Sequence, residues 1–345
     1  MSLATYPSQR FYKCGAKQTT WPTEVALGAG NEMLVTKDGD PALKQAYKNY
    51  LAIGRVMPTG GRLGAKDAVD FTPEFDMNYM PGAIGSLIGG LFGVTGVAVS
   101  GDGQLHTFQW ANEAAPPFTF ATTRPGAVWV IPAAIPMKLA LSVADGLLHG
   151  ALTLRGNDLI ATSVLNTETE MDALTPEAEA DLDFVNFQEG VAWMNTQAGD
   201  ALDSGDAIEL SDFNADFERA MDAKIVMGAS QIAQPKEGNF NIGLKVRFPS
   251  ASSGNVAYLA SFIAMTPMKM QITFTGRLIA GTTYFSLSLY FPRLKFTGPP
   301  DVKLADIMDA GAEFIAEEAA AAPAGMSYTR PYLQITNSRA AAYTT

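Results

Sequence analysis

At 345 residues the chain can carry two domains with cores of their own, and 47% apolar against 17% charged residues describe a folded protein rather than a disordered one. Its 35 acidic and 24 basic residues leave a net charge of -11, which excludes a general grip on nucleic acid, because phosphate binding needs Lys and Arg to displace counterions. One cysteine, Cys14, excludes an internal disulfide framework and a cysteine-only zinc site, and two histidines, His106 and His149, exclude a His-rich metal centre.

In chain order, residues 1–20 are polar and mixed, without the basic-then-apolar pattern of a secretory leader, so a cytoplasmic origin is expected. Residues 31–66 are polar, with Gly and Pro, and predict a long, loop-like extension that is either disordered or used as a docking arm. Within it, Gly60-Gly61-Arg62-Leu63-Gly64-Ala65-Lys66 superficially suggests a phosphate cradle. The spacing is wrong and the hydroxyl that should follow Lys is missing, so a flexible loop is expected there. The uncharged stretch 77–101 contains Pro81 and glycines at 82, 85, 89, 90, 93 and 96. Glycine at that density weakens an isolated helix, so it predicts a buried helix within 78–97 followed by a strand, in preference to a membrane span.

Met137, Leu139, Leu141 and Val143 alternate with Lys138, Ala140, Ser142 and Ala144, a period of two that predicts a strand with one buried face. Asp145-Gly146 is a hairpin turn, and Leu148, Gly150, Leu152 and Leu154 return from it. From Arg155 to Arg219 there is no Lys or Arg between, while acidic residues accumulate, and the stretch 167–183 predicts an acidic inter-domain linker. Asp200, Asp203, Asp206 and Glu209 miss the alternating spacing of a calcium loop and predict a solvated surface. An amphipathic helix is expected over 218–233. Met268, Met270, Ile272 and Phe274 alternate again, a turn is expected at Gly276, and Phe285, Leu287, Leu289 and Phe291 form the returning strand. Behind Pro300, residues 301–322 predict a helix with Leu304, Ile307, Met308, Phe314 and Ile315 on one face. Tyr332, Leu333 and Ile335 predict a last short strand, with a small-residue tail behind it.

Two signatures occur twice and in the same order. Asp70-Phe71-Thr72-Pro73-Glu74-Phe75-Asp76 returns as Asp212-Phe213-Asn214-Ala215-Asp216-Phe217-Glu218, and Pro136-Met137-Lys138 returns as Pro267-Met268-Lys269. The expectation is a duplicated β-rich unit: mainly β, two tandem β-sandwich or β-barrel domains, each with a flanking α-helix. Because the carboxylates Glu74/Asp76 and Asp216/Glu218 recur in both copies, a shared structural role is expected of them, and the two histidines are expected to be surface or packing residues. No Gly-x-Ser-x-Gly elbow, phosphate loop or His-Glu-x-x-His is present. No catalytic residue, no cofactor-binding residue, no cofactor and no metal ligand is assigned.

The run Phe118-Thr119-Phe120, the hairpin from Pro136 through Asp145-Gly146 to Leu154, and Arg155-Gly156-Asn157-Asp158-Leu159-Ile160-Ala161-Thr162-Ser163 resemble the tail tube (major tail) proteins of long-tailed bacteriophages. The second half is similar to the two-domain members of that family. The resemblance implies tail-tube-like β domains at 31–166 and 184–299, the linker 167–183 between them, and a C-terminal helix, strand and arm over 300–345. It further implies a structural virion protein rather than an enzyme, one that self-assembles into rings, trimeric and pseudo-hexameric for a duplicated chain. Stacked rings form the hollow tube through which genomic DNA passes without specific binding during ejection. Implied partners are further copies of the chain and the tape measure, tail terminator and distal tail proteins, with no membrane span. The place implied is the virion tail, after synthesis in the host cytoplasm. A double β-sandwich of carbohydrate-binding or adhesin type is the alternative reading, weakened by the scatter of Trp110, Trp129 and Trp193.

Overall fold

Period-two alternation decides this architecture almost everywhere, because it gives each segment one apolar face to bury against the others. A computed structural model describes the chain except residues 1–11, 19, 29, 38, 51–56, 58–59, 112–114, 125–126, 173–182, 250–259, 300, 304–308 and 344–345. The first half holds β1 (Tyr12–Lys17), β2 (Glu32–Met33), β3 (Gln45–Tyr50), β4 (Gly60–Lys66), β5 (Val69–Phe71), β6 (Glu74–Asp76), helix α1 (Gly82–Phe92), β7 (Gly93–Ser100), β8 (Gly103–Trp110), β9 (Phe118–Arg124), β10 (Ala127–Ala144) and β11 (Leu147–Gly156). The second holds β12 (Gly190–Thr196), β13 (Ala207–Ile208), β14 (Asp212–Asp222), β15 (Lys236–Phe248), β16 (Met268–Ala280), β17 (Thr283–Phe296), β18 (Asp301–Lys303), β19 (Asp309–Ala316) and β20 (Tyr332–Asn337).

All the ladders are antiparallel. One path runs from β5 and β6 through β11, β10, β14, β15, β19, β17, β20 and β8 to β7. The strands β9, β1 and β2 branch from the first part of β10, and β16, β12 and β13 branch from β17. This sheet curls barrel-like around a main apolar core that draws side chains from both halves, with a smaller cluster of Leu27, Ala121, Val128, Val130 and Met171 beside it. Among the described residues, only β3 and β4 form a sheet of their own. Helix α1 has no charged residue, and Ala83, Ile84, Leu87, Ile88, Leu91 and Phe92 are all buried. A helix apolar on every side belongs inside the molecule, where its glycines allow close approach: a Cβ on Gly90 would lie 2.5 Å from the Phe118 ring.

The hairpin predicted at Asp145-Gly146 is present, with φ of 52° and 80° at the two turn residues, the left-handed pair that a two-residue turn needs. Phe71, Phe75, Phe213 and Phe217 all enter the main core, though by different ladders. Phe71 and Phe75 face Leu154 and Gly150 of β11, whereas β14 carries Phe213 and Phe217 between β10 and β15.

Four sequence expectations are corrected. Residues 218–222 continue β14 and the rest of 218–233 is loop, because alternation runs on through Phe217 to a buried Arg219 and Gly228 turns with φ of 84°. Residues 301–322 hold β18 and β19 instead of a helix, with 304–308 outside the described residues. Ala312 and Phe314 point inward, Glu313 and Ile315 outward, and the pairing offered by β15 and β17 outweighs the helix propensity of an Ala/Glu-rich run. The turn at Gly276 lies instead at Gly281 (φ 55°). Gly276 is inside β16, where a Cβ would meet the Tyr79 ring at 2.5 Å. The 31–66 arm is not a plain loop: it carries β2, β3 and β4, the last taking up the glycine-rich run at Gly60. Most of the acidic linker, 173–182, lies outside the described residues.

Candidate assembly surface

Gly93 ends α1 with φ of 96° and reverses the chain directly into β7, whose sequence GVTGVAVS contains no charge and no proline. Its strand partner among the described residues is β8 alone, paired from Gly93↔Trp110 to Ser100↔Gly103 across the turn at Gly101-Asp102. In an antiparallel ladder closed by a two-residue turn, alternate residues point their N–H and C=O away from the partner; here these are Val99, Val97 and Thr95. A flat edge of eight residues without Lys, Pro or bulge is the arrangement that soluble monomers avoid, because it templates pairing with another chain.

The surroundings of this edge are apolar as well. Val99 is 77% exposed. The turn after it packs on the β16–β17 turn, where the Asp102 N–H donates to Thr283 Oγ1 at 3.2 Å, and Leu278 and Tyr284, paired across β16 and β17, are each 48% exposed. The other edges are shorter or protected. Thr36 and Lys37 hydrogen-bond along β6 through the Glu74 carbonyl, and β13 has two residues.

The second projecting element is the β3–β4 hairpin, with Tyr47 and Leu63 exposed. Its base is fixed by a buried carboxylate. Asp158 accepts Lys66 Nζ at 2.7 and 2.8 Å and Gln231 Nε2 at 2.6 Å, while Lys66 N–H donates to the Ser230 carbonyl. One anchor therefore ties the hairpin to the exposed loop that carries Val226 and Met227. The last strand expected at Tyr332, Leu333 and Ile335 is present as β20, between β8 and β17, and of the tail expected behind it Asn337 and Tyr343 are buried while Ser338, Ala340 and Ala341 are exposed.

The polar residues singled out in the sequence are engaged with one another. On β5 and β6 the carboxylates face basic residues of β11: Asp70 takes Arg155 in a two-point pair at 2.7 and 2.9 Å, and Asp76 lies 3.1 Å from His149 Nδ1. Glu74 takes Lys37 at 2.6 Å, and that bond holds its carboxyl below the usual range. In the second copy, Asp216 of β14 pairs with Lys138 of β10 at 2.9 Å. These are cross-strand polar contacts, ionic at Asp70–Arg155, Glu74–Lys37 and Asp216–Lys138, that fix register. Asp203 and Asp206 cap a short turn, Asp206 also accepting Asn195 at 2.7 Å. Among the described residues no group of three or more His, Cys, Asp or Glu is arranged to hold a metal ion. No helix there is long and apolar enough to cross a membrane.

Two buried cations, Arg219 and Lys269, escaped the sequence reading. Arg219 is fully buried. Lys138 and Lys269, equivalent in the repeated Pro-Met-Lys, diverge: Lys138 is at the surface, whereas Lys269 is buried with Nζ 2.8 Å from the Gly199 carbonyl and 2.5 Å from that of Asp200. Burial pulls the Lys269 ammonium below its ordinary range. His106, expected to be a surface or packing residue, lies buried between β7 and β20. A long open groove of about 530 Å³ follows β12, β13 and β16, lined by Phe187, Val191, Ile208, Leu210 and Phe274 among others. Neither a protein-family model nor a curated protein matches this chain.

Proposed function

We propose that this chain is a structural subunit that polymerises through its sheet edges, and specifically a tail tube protein of a long-tailed bacteriophage, of the two-domain type. The observation that carries the reading is the uncharged, unprotected edge of β7, flanked by exposed Val99, Leu278 and Tyr284. An edge of this kind is satisfied when the neighbouring subunit of a ring lends it a strand, which turns an aggregation hazard into assembly. The sequence resemblance supplies the rest: tandem units at 31–166 and 184–299, three chains to a pseudo-hexameric ring, rings stacked into a tube. The β3–β4 hairpin, held at its base by Asp158 and standing outside the main sheet, is the element suited to contacts between rings. The wall facing DNA carries acidic residues in excess, so the phosphate backbone is repelled and slides. The tape measure protein inside the tube, and the terminator and distal tail proteins at its ends, are the remaining partners in this reading.

Negative-stain microscopy and sedimentation of the purified protein test it. Rings or tubes are expected from the wild type. Val99→Lys adds a charge at the exposed edge, and Val97→Pro removes an outward N–H that β8 does not use. Each is expected to leave the far-UV circular dichroism unchanged and to shift the protein to single subunits. A wild type that sediments as a monomer with featureless images would overturn the reading, and edge variants that still assemble would remove β7 from it.

A further inference from the structure

His106 of β8 is 1% exposed. Its Nε2 lies 2.9 Å from the Arg339 carbonyl oxygen and 3.0 Å from Asn337 Oδ1. The orientation of that amide is settled by its other bonds: Oδ1 accepts the Arg339 N–H, and Nδ2 donates to the Tyr79 carbonyl and the Tyr343 hydroxyl, all at 2.9 Å. Both neighbours of Nε2 are thus acceptors, so Nε2 carries a proton, and the ring is neutral because a second proton on Nδ1 would be buried without an acceptor. Nδ1, on the other side of the ring, is buried with no hydrogen-bond partner.

The same residues hold the following chain in place. Tyr343 sets its ring edge against His106 at 4.7 Å and fills a notch at Gly85 of α1, where a Cβ would stand 2.5 Å from it. The Arg339 guanidinium lies over Tyr343 at 4.5 Å. The groups that face His106 are few. The helix α1 has no charged or titratable residue, β7 presents Val97, and β20 presents Ile335 and Asn337. Tyr79 and Tyr343 are neutral phenols, and the one charge acting on the ring is that of Arg339.

We propose that residues 338–343 form an acid-released clasp, held on α1 by neutral His106 and let go when Nδ1 takes a proton. Protonation there places an unpaired N–H in a dry site and a second positive charge beside Arg339, and the way to hydrate both is to lift the segment away. Burial, the larger cause, and the Arg339 charge keep the ring below the ordinary histidine range, in spite of its two accepting neighbours. The sign follows from that lowering. The released state binds the proton more readily, so the clasp is at full strength above a pH of about 6.5 and weakens below it, by up to tenfold per unit until the clasped ring itself titrates. Release uncovers the Gly85 notch on the otherwise buried helix, so the device would couple acidification to exposure of an apolar site. The inference does not depend on the tail-tube reading.

Hydrogen exchange of the full chain, corrected for the intrinsic pH dependence of exchange, tests the clasp. Between pH 7.5 and 5.0, protection of the amides at 339–343 is expected to fall by about threefold to thirtyfold, the upper limit being set by one proton and a free value near 6.5. Protection at Leu287 and Leu289 in β17 should hold. In His106→Gln, whose Nε2 can donate to the same two oxygens without titrating, protection at 339–343 should be independent of pH. A wild type without the drop, or a Gln variant that falls in parallel, overturns the proposal. With only two histidines, an NMR titration checked against His149→Gln decides the matter should His106→Gln fail to fold. His106 is expected to titrate together with the loss of protection, and titration near 6.5 with 339–343 still protected would overturn it.

Discussion

Replacing Arg219 by alanine should cost about 3–5 kcal/mol of stability, read from the midpoint of chemical unfolding. The guanidinium is fully buried, and it meets Glu237 Oε2 at 2.7 Å through Nη1. It lies over the Phe240 ring at 4.9 Å and the Trp110 ring at 5.7 Å, and Nη2 reaches the Phe92 and Ala111 carbonyls at 3.4 Å. Burial lowers its proton affinity and Glu237 raises it back in part, but an arginine stays charged throughout the accessible pH range. Truncation removes the cation, leaves the Glu237 carboxylate half-buried without it, and opens a void beside two aromatic rings. The double variant Arg219→Met/Glu237→Gln tests the cause. Both charges leave together and the volume is kept, so much of the loss should return. Equal losses in the single and double variants would place the effect in packing alone.

Removal of residues 332–345 should abolish folding rather than merely disarm assembly. The strand β20 is the link between β8 and β17, so its loss strips two ladders at once. It also withdraws Tyr332, Leu333, Ile335 and Tyr343 from the core. At about 1.5–3 kcal/mol for each buried side chain, the four sum to roughly 6–12 kcal/mol, which matches the whole stability of a typical domain at roughly 5–15 kcal/mol. Tyr332 is set deeply enough for burial to push its phenol up to about 12. The truncated chain is expected in the insoluble fraction, with no cooperative thermal transition. Soluble protein with the full strand content would show that β8 and β17 hold without their bridge. The 31–66 segment differs, because its β3–β4 hairpin pairs with itself, and trimming that hairpin above Lys66 should leave the main sheet intact.

What the sequence made legible follows its periodicities. The β10–β11 and β16–β17 hairpins were readable because alternation persisted over many residues and, in the first, because Asp145-Gly146 permits only a tight turn. Helix α1 was readable because a long uncharged run stocked with glycine fits only where neighbours press close. The alternation around Arg219 was missed because a long cation looks like a surface residue until Glu237, far along the chain, supplies its partner. At 309–316 the local preference is helical, and the open edges of β15 and β17 that overrule it are invisible from the residues alone. The candidate surface was half visible. The uncharged stretch containing β7 stood out, yet its place at the edge depends on which strands pair, and nothing within GVTGVAVS states that. Three valines interspersed with Thr, Gly and Ala directly after a helix-ending glycine were the available cue. The His106 site gave no cue at all, since its partners lie more than two hundred residues away.

The eighteen-residue strand β10 has a mechanical consequence. It is gripped by β9 along its first part and by β11 along its second, and over Lys138 to Ser142 it is also bonded to β14 of the other half. A pull along its axis therefore loads many transverse hydrogen bonds in shear simultaneously, whereas a pull at right angles would part them one after another. The junction between the halves thus resists stretching along the strand far better than peeling, and the molecule has a stiff direction fixed by the course of a single strand.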